Sequence, residues 1–425
     1  MTATIRFQAA LATAIEFTQA NYAILGIEPI LIRDLYGKIR LFLQCEQTPQ
    51  LSELATNLAK ILGNFTYPAT DIFIYQHNFF NADSIIHSPD KIKIPETSPP
   101  IYLVDRQITG QDWLRQPIQE VPHPPRITLF GIKGGVGRST ALAVWAWYLA
   151  DKLGKKVLVI DLDVESPGIG QILLPTERMP DFGVVDWLVE DAVGQADDFL
   201  LRDMVATSPL SNNSVGEIRV VATAGNKEQD YIAKLSRVYM DINHEGKQLD
   251  FAHRLAKMLQ QLEAQEKPDI VLLDSRAGIH DIAAIAITRL SDLALLFAVN
   301  TPQTWQAYSY LFKHWQKWNT NLQAFRENLK IVSAMIPETG REDYISSLTE
   351  SSYTLFSETL YDEDDSMEAF NFDINAIDAP HYPIKVFWYR AFQEFNPLKQ
   401  FNPQDVELCY GDFLQEATRL ALGEI

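Results

Sequence analysis

Cysteine is nearly absent: Cys45 and Cys409 are the only two in 425 residues, too few for a disulfide framework or a cysteine-rich metal site. The 8 histidines are scattered and none pairs with another at ligand spacing, so His77 and His87 read as surface or satisfied core residues. No apolar run approaches the ~20 residues that a membrane span needs. Met1 to Gly26 lacks the basic head and small-residue cleavage site of a secretory signal. Positive charge is also short, with 36 Lys and Arg against 55 Asp and Glu for a formal net charge of -19. Phosphate contacts supply most non-specific nucleic-acid affinity and need a basic face, so nucleic acid is disfavoured as a partner. With no low-complexity block and 47% hydrophobic residues, the chain is expected to be cytoplasmic, globular and free of membrane attachment.

What is present is organised around Arg126 to Thr140, R-I-T-L-F-G-I-K-G-G-V-G-R-S-T. Arg126 to Gly131 has the β-branched, apolar pattern of a buried strand. Lys133 to Thr140 is a glycine-rich turn, and Ser139 to Leu153 reads as a helix of small and apolar residues. Strand, glycine turn and helix form the context that a phosphate-binding loop requires. Glycines let backbone N–H groups curl round an anion, and the helix N-terminus adds partial positive charge. The bland alternative is an αβ turn that binds nothing; two partner motifs further along the chain weigh against it.

Before the loop, residues 1–115 suggest a small α+β domain. Thr2 to Ile24 is a helix candidate, followed by P-I-L-I-R and K-I-R-L-F-L joined by Asp34-Leu35-Tyr36-Gly37, a hairpin signal. Leu51 to Leu62 reads as an amphipathic helix, and Asp71 to Tyr75 and Ile101 to Val104 as strands. No catalytic constellation is visible there. The Pro-rich passage within 116–125 reads as a linker. From 126 to 425 strands alternate with helices, which predicts an α/β domain with a mainly parallel sheet covered on both faces. Its expected strands are Arg126 to Gly131, Lys155 to Asp163, Ile218 to Thr223, Asp269 to Asp274, Leu293 to Val299, Lys330 to Met335 and Pro383 to Phe387; Phe251 to Gln265 is an amphipathic helix. Ligands of such sheets sit beyond the carboxyl ends of the strands, where Gly131, Asp163 and Asp274 all fall.

A triphosphate with Mg2+ needs backbone donors, a cation near the β and γ oxygens, a hydroxyl on the metal and a carboxylate behind it. Gly134, Gly135 and Gly137 suit the first need, Arg138 the second and Ser139 the third. Asp274 suits the last, and Asp161 or Asp163 could orient the attacking water. Taken alone, D-L-D at Asp161 to Asp163 is an ordinary strand end with solvated carboxylates; beside this loop it acquires a function.

These residues resemble the ParA/MinD family of deviant Walker A P-loop ATPases. The family loop K-G-G-x-G-K-[ST]-T is matched by Lys133-Gly134-Gly135-Val136-Gly137-Arg138-Ser139-Thr140 at all but one position. The resemblance covers about Arg126 to Pro337 and implies a P-loop NTPase-type fold that binds ATP and Mg2+ through Gly134, Gly135, Val136, Gly137, Arg138, Ser139 and Thr140. It implies that Lys133 reaches the phosphates of a partner subunit in an ATP-sandwich homodimer. Val157 to Gly168 looks like the second motif, which makes Asp163 the water-positioning carboxylate and places Asp161 nearer the metal. Asp274-Ser275-Arg276-Ala277-Gly278 looks like the metal-associated motif with its switch turn, so the implied metal group is Ser139, Asp161 and Asp274.

Four positions depart from the pattern. Arg138 replaces the loop lysine, and a planar guanidinium is not a conservative exchange. Ile132 sits where some members have glycine. V-S-A-M-I-P lacks the asparagine that many members set against adenine. Arg276 stands where proline is common; it either senses the γ-phosphate or a partner subunit, or it pairs with a nearby carboxylate. Arg341 to Ile425 holds 17 Asp and Glu against 5 Lys and Arg, which argues against the basic DNA-binding surface or basic membrane helix that some members use. Asp362 to Asp365 reads as a solvated acidic loop, and Trp305, Trp315 and Trp318 as core or a protein interface. The leading expectation is an ATP-driven dimerisation switch whose N-terminal domain signals to a protein partner. A nucleotide-binding interaction module with little hydrolysis, owing to Arg138, is the alternative. A tyrosine kinase of this core and an amide-forming ligase are minor readings, since the tail offers mainly Tyr410 and no second substrate motif is seen.

Overall fold

The computed structural model describes residues 5–118, 121–211, 214–244, 247–318, 322–364, 369–393 and 395–423. Thr2 to Thr4 of the expected first helix, Gln119 and Glu120 of the expected linker and Asp365 of the acidic run lie outside them. The chain divides into two compact units, Met1–Arg115 with His314–Asn321, and Gln116–Lys313 with Leu322–Ile425. The passage expected as a linker is therefore counted with the second unit, where Ile118 packs on apolar side chains.

In the first unit, strands β1 (Ile30–Arg33), β2 (Ile39–Leu43), β3 (Phe73–Tyr75), β4 (Lys91–Lys93) and β5 (Tyr102–Asp105) form one sheet in the order β3-β2-β1-β5-β4. The β1–β2 hairpin is antiparallel and turns at Gly37, whose φ of 78° lies in the left-handed region that glycine tolerates. Leu31, Leu41 and Leu103 of one face pack under the helices Phe7–Ala20 and Pro49–Leu62. The first helix stops earlier than its apolar spacing suggests. Asn21 leaves helical geometry (φ -111°, ψ 14°) and its side-chain amide donates to the Phe17 carbonyl at 2.8 Å; a short turn, Tyr22–Leu25, follows.

The second unit is built on β6 (Arg126–Gly131), β7 (Lys156–Asp161), β8 (Val205–Thr207), β9 (Glu217–Val221), the separate hairpin β10 (Ile242–His244) and β11 (Lys247–Leu249), β12 (Ile270–Asp274), β13 (Leu293–Ala298), β14 (Leu329–Ile336) and β15 (Ile384–Phe387). The main sheet runs β15-β14-β13-β6-β12-β7-β9-β8, with every neighbouring pair parallel except β8–β9. Alternate residues of its strands feed two cores. Ile127, Leu129, Val157 and Val159 face the helices Arg138–Asp151 and Pro403–Leu422, while Leu158, Ile160, Val271 and Leu273 face Val184–Ala192 and Phe251–Glu266. This is the mainly parallel, doubly covered P-loop NTPase-type sheet expected from the sequence.

Arg138–Asp151 is apolar around its whole circumference and is correspondingly buried from Ala141 to Trp147. Its outer side is closed by Pro403–Leu422, where Trp145 Nε1 donates to Thr418 Oγ1 at 3.0 Å and stacks edge-on against Phe413. The acidic C-terminal helix is thus a structural cover for the loop helix. Asp362 also differs from the solvated carboxylate expected: it accepts both Nη atoms of Arg326, at 2.6 and 2.8 Å.

Candidate functional site

β6 lies between β12 and β13, and the chain leaves it for β7, one strand beyond β12. The winding direction therefore reverses beside β6, and a crevice opens at the carboxyl ends of its neighbours. The loop that starts there is shaped by glycine. A Cβ on Gly131 would meet Val136 Cγ2 at 2.9 Å and the Lys133 carbonyl at 3.0 Å, so a larger residue would prevent the chain from doubling back. Gly135 and Gly137 have φ of 74° and 78°, conformations that side chains resist. The helix Arg138–Asp151 then begins with no side chain capping its first turn, which leaves its leading amides for an external acceptor. Gly134 and Gly135 are exposed, Val136 is buried beneath them, and Thr140 is half-buried.

Register places the other two motifs beside this loop. Asp161 is the pairing partner of Asp274 in the parallel β7–β12 ladder, and the Gly278 amide donates to the Gly131 carbonyl at 3.1 Å. β7 was expected to run to Asp163 but ends at Asp161. The Asp161 carboxylate accepts the amides of Asp163 and Gly168, each at 3.1 Å, and so folds the following residues into a loop.

Arg138 turns back over these carboxylates. Its Nε donates to Asp274 Oδ1 at 2.7 Å and its Nη2 to Asp163 Oδ2 at 3.3 Å, while Ser139 Oγ donates to Asp274 Oδ2 at 2.8 Å. Burial pushes the Asp161 carboxyl up to about 7, and the nearby Asp274 charge adds to the rise. Asp163 is raised by burial as well, with Arg138 pulling against it. Burial opposes the charge on Arg138, but Asp274 and Asp163 overcome that and hold it more firmly positive. Lys133 is exposed and has no hydrogen bond or ion pair among the described residues.

A metal cage of three or more His, Cys, Asp or Glu side chains is absent among the described residues. The Ser139 hydroxyl with the Asp274 carboxylate is instead a small, hard oxygen set. It fits Mg2+, which takes one or two protein oxygens and completes its shell with phosphates and water. At the tip of β14, Met335 has φ of 55° and its Cε lies 4.0 Å from where a Gly137 Cβ would stand. A thioether, rather than an amide, is thus what β14 offers beside the loop.

The structure also brings in residues that sequence reasoning did not find. Arg276 Nη1 pairs with Glu165 Oε2 at 2.6 Å, the carboxylate-paired state that was one of its two readings. Glu165 also lies 3.3 Å from His280 Nε2 and accepts the Tyr239 hydroxyl, and Tyr231 donates its hydroxyl to the Val164 carbonyl. Tyr231 and Tyr239 stand two helical turns apart on one face, but nothing in their spacing points toward Glu165.

No family model matches the chain, and no curated protein matches it. Among solved structures it is similar to a putative plasmid partition protein from Borrelia burgdorferi B31 bound to AMPPNP, at 14% identity and a TM-score of 0.42, over 69% of this chain and 100% of that one. It is similar to the MinD cell division protein of Aquifex aeolicus, at 17% identity and a TM-score of 0.41, over 69% and 96%. It is also similar to pNOB8 ParA bound to nonspecific DNA, at 20% identity and a TM-score of 0.36, over 55% and 75%. Likeness of this degree adds no weight to the strand order and side-chain geometry. Two of these three are by name a ParA and a MinD protein, and Lys133 to Thr140 matches the loop pattern of that family at all but one position.

Proposed function

We propose that the chain is a Mg·ATP-binding P-loop ATPase of the ParA/MinD type, a switch that pairs with a second copy when nucleotide is bound and signals that state to a protein partner. The observation that carries this reading is the meeting of Arg138, Ser139, Asp163 and Asp274 beside a loop of left-handed glycines. The free amides of the first helical turn would take phosphate oxygens, with Gly134, Gly135, Val136, Gly137 and Thr140 forming the cradle. Arg138 would turn from the carboxylates to the β and γ oxygens. Ser139 and Asp274 would hold Mg2+, with Asp161 behind them; bound Mg2+ supplies neutralisation of charge on the transferred phosphoryl group. Asp163 would orient the attacking water, and Lys133 would reach the phosphates held by the second copy. Residues 1–115 contain 9 Lys and Arg against 11 Asp and Glu, so they carry little of the net charge of -19; this near-neutral unit is assigned to the protein partner.

The test is phosphate release by purified protein with Mg·ATP. Asp163→Ala is expected to slow it by about a hundredfold, and equal rates in the two proteins would sink the hydrolytic reading. A second reading, nucleotide binding with little turnover, is favoured by one contact: the Arg138–Asp163 bond occupies the carboxylate that would orient water. It requires tight binding of a fluorescent ATP analogue with no phosphate released. DNA is not proposed as a ligand, because a net charge of -19 opposes phosphate; retention on duplex DNA at physiological salt would overturn that exclusion.

A further inference from the structure

Glu165 draws three side chains from two other segments, two by charge and one by a hydrogen bond. Its Oε2 lies 2.6 Å from Arg276 Nη1, its Oε1 lies 3.3 Å from His280 Nε2, and it accepts the Tyr239 hydroxyl. His280 Nδ1 accepts the Ile282 amide at 3.4 Å, so the proton sits on Nε2 and faces Glu165. Arg276 and His280 belong to the turn after β12, and Tyr239 caps the helix Tyr231–Val238. That helix grips the same loop a second time, through the Tyr231 hydroxyl on the Val164 carbonyl.

The sequence positions give this hub its meaning. Glu165 stands two residues after Asp163, which Arg138 holds, and Arg276 stands two residues after Asp274, which Arg138 and Ser139 hold. The Glu165–Arg276 pair is therefore a strut between the two loops whose first residues build the candidate site. Both side chains are shielded, with 21% and 32% exposure, so the pair is less screened than an open surface contact. The arginine that departs from the family pattern has found its carboxylate within the second motif.

We infer that Glu165 is a positioning residue that ties residues 162–168 to the turn 275–280 and the helix Tyr231–Val238, so that a displacement of Asp163 moves all three together. Its effect on catalysis runs through Asp163 and the switch turn, and this part rests on the proposed nucleotide function. The mechanical coupling does not rest on it.

Hydrogen exchange on the full-length protein without nucleotide tests the coupling. Glu165→Ala is expected to raise exchange about tenfold in both 275–280 and 231–240 while the sheet strands stay protected. Tyr239→Phe, which removes one hydroxyl, is expected to loosen the same two segments to a smaller extent, and it carries the test should Glu165→Ala fail to fold. A rise confined to 162–168 overturns the inference. The kinetic arm uses phosphate release: Glu165→Ala is expected to lower kcat about tenfold with KM unchanged, and Glu165→Gln to recover part of it. A raised KM with unchanged kcat overturns the positioning role. Wild-type protein that neither binds nor cleaves ATP would remove the proposed function, and the exchange result would still decide the strut.

Discussion

At its first residue β6 carries Arg126, whose Nε and Nη2 donate to the two oxygens of Glu263 at 2.6 and 2.8 Å, with side-chain exposures of 0% and 6%. Beyond its other end stands Arg138, 11% exposed, at similar distances from its own carboxylates. Distance does not separate the two; stoichiometry does. Arg126 meets Glu263 in the core through two parallel bonds, one guanidinium on both oxygens of one carboxylate. Arg138 is divided between Asp163 and Asp274, Ser139 shares Asp274 with it, and Asp161 lies beside them with its carboxyl pushed up to about 7. Two carboxylates share one guanidinium and a third acid stands beside Asp274, which leaves acid in surplus that a further cation can satisfy. The comparison teaches that a structural pair sets two donors on one carboxylate, whereas a candidate functional cluster spreads one cation over acids in surplus.

The sharpest way to break the comparison is at Arg126. Arg126→Ala leaves Glu263 buried without its counter-charge and is expected to cost about 3–5 kcal/mol in urea unfolding. Nucleotide affinity of the folded fraction should not change. Exchanging both partners, Arg126→Met with Glu263→Leu, should restore most of the loss, since a complete pair is about as good as a packed apolar one. If the double variant is as unstable as the single, the core pair is not self-contained.

The surplus of acid at the site has the next largest signature, and it is a pH dependence. Asp161 binds its proton more tightly when folded, at about 7, well above the ordinary carboxylate range. The folded state therefore holds the extra proton between about pH 4 and 7, and stability of the nucleotide-free protein falls as pH rises through that window. The change is on the order of a few kcal/mol. Asp161→Asn should flatten it and be the more stable protein at pH 8 without Mg2+. A wild-type unfolding curve that does not move between pH 5 and 8 would mean the surplus charge is absorbed elsewhere.

Arg138→Lys sharpens the same contrast with a smaller change in stability, about 1–2 kcal/mol from losing the two-carboxylate fork. An ammonium cannot span Asp163 and Asp274 as the guanidinium does. Asp163 is then freed, and phosphate release at saturating Mg·ATP should rise several-fold if that contact is what restrains turnover. An unchanged or lower rate would show that Arg138 is itself needed on the phosphates.

The sheet and its site edge were legible because the buried strands are short apolar runs that stop on a carboxylate or a glycine, as at Asp274 and Gly131. The rule fails where one residue does two jobs. Asp161 ends its strand by accepting the amides of Asp163 and Gly168, so D-L-D looks like strand while its second carboxylate has already left the sheet. Short edge elements such as β4 and β8 span three residues each, too few for a readable pattern, and exist through their neighbours. Arg138 was readable as a departure, but not its division between carboxylates 25 and 136 positions away. The Glu165 hub is hidden for the same reason, since Arg276 and Tyr239 meet it only through tertiary contacts.

Lys133 defines the other limit of the comparison, a cation with no partner among the described residues. It is exposed and makes no ion pair or hydrogen bond among the described residues, so Lys133→Ala should leave the unfolding midpoint where it is. Every effect must then appear in the presence of nucleotide. With Mg·ATP the wild-type protein is expected to sediment as a dimer and the variant as a monomer, and phosphate release by the variant should drop about tenfold or more, as for loss of a charge that acts on phosphate only in the assembled site. Binding of a fluorescent ATP analogue to the monomer should be nearly unaffected. Equal dimerisation and equal turnover in both proteins would place Lys133 among ordinary surface lysines, and the second copy would have to complete the site by another residue.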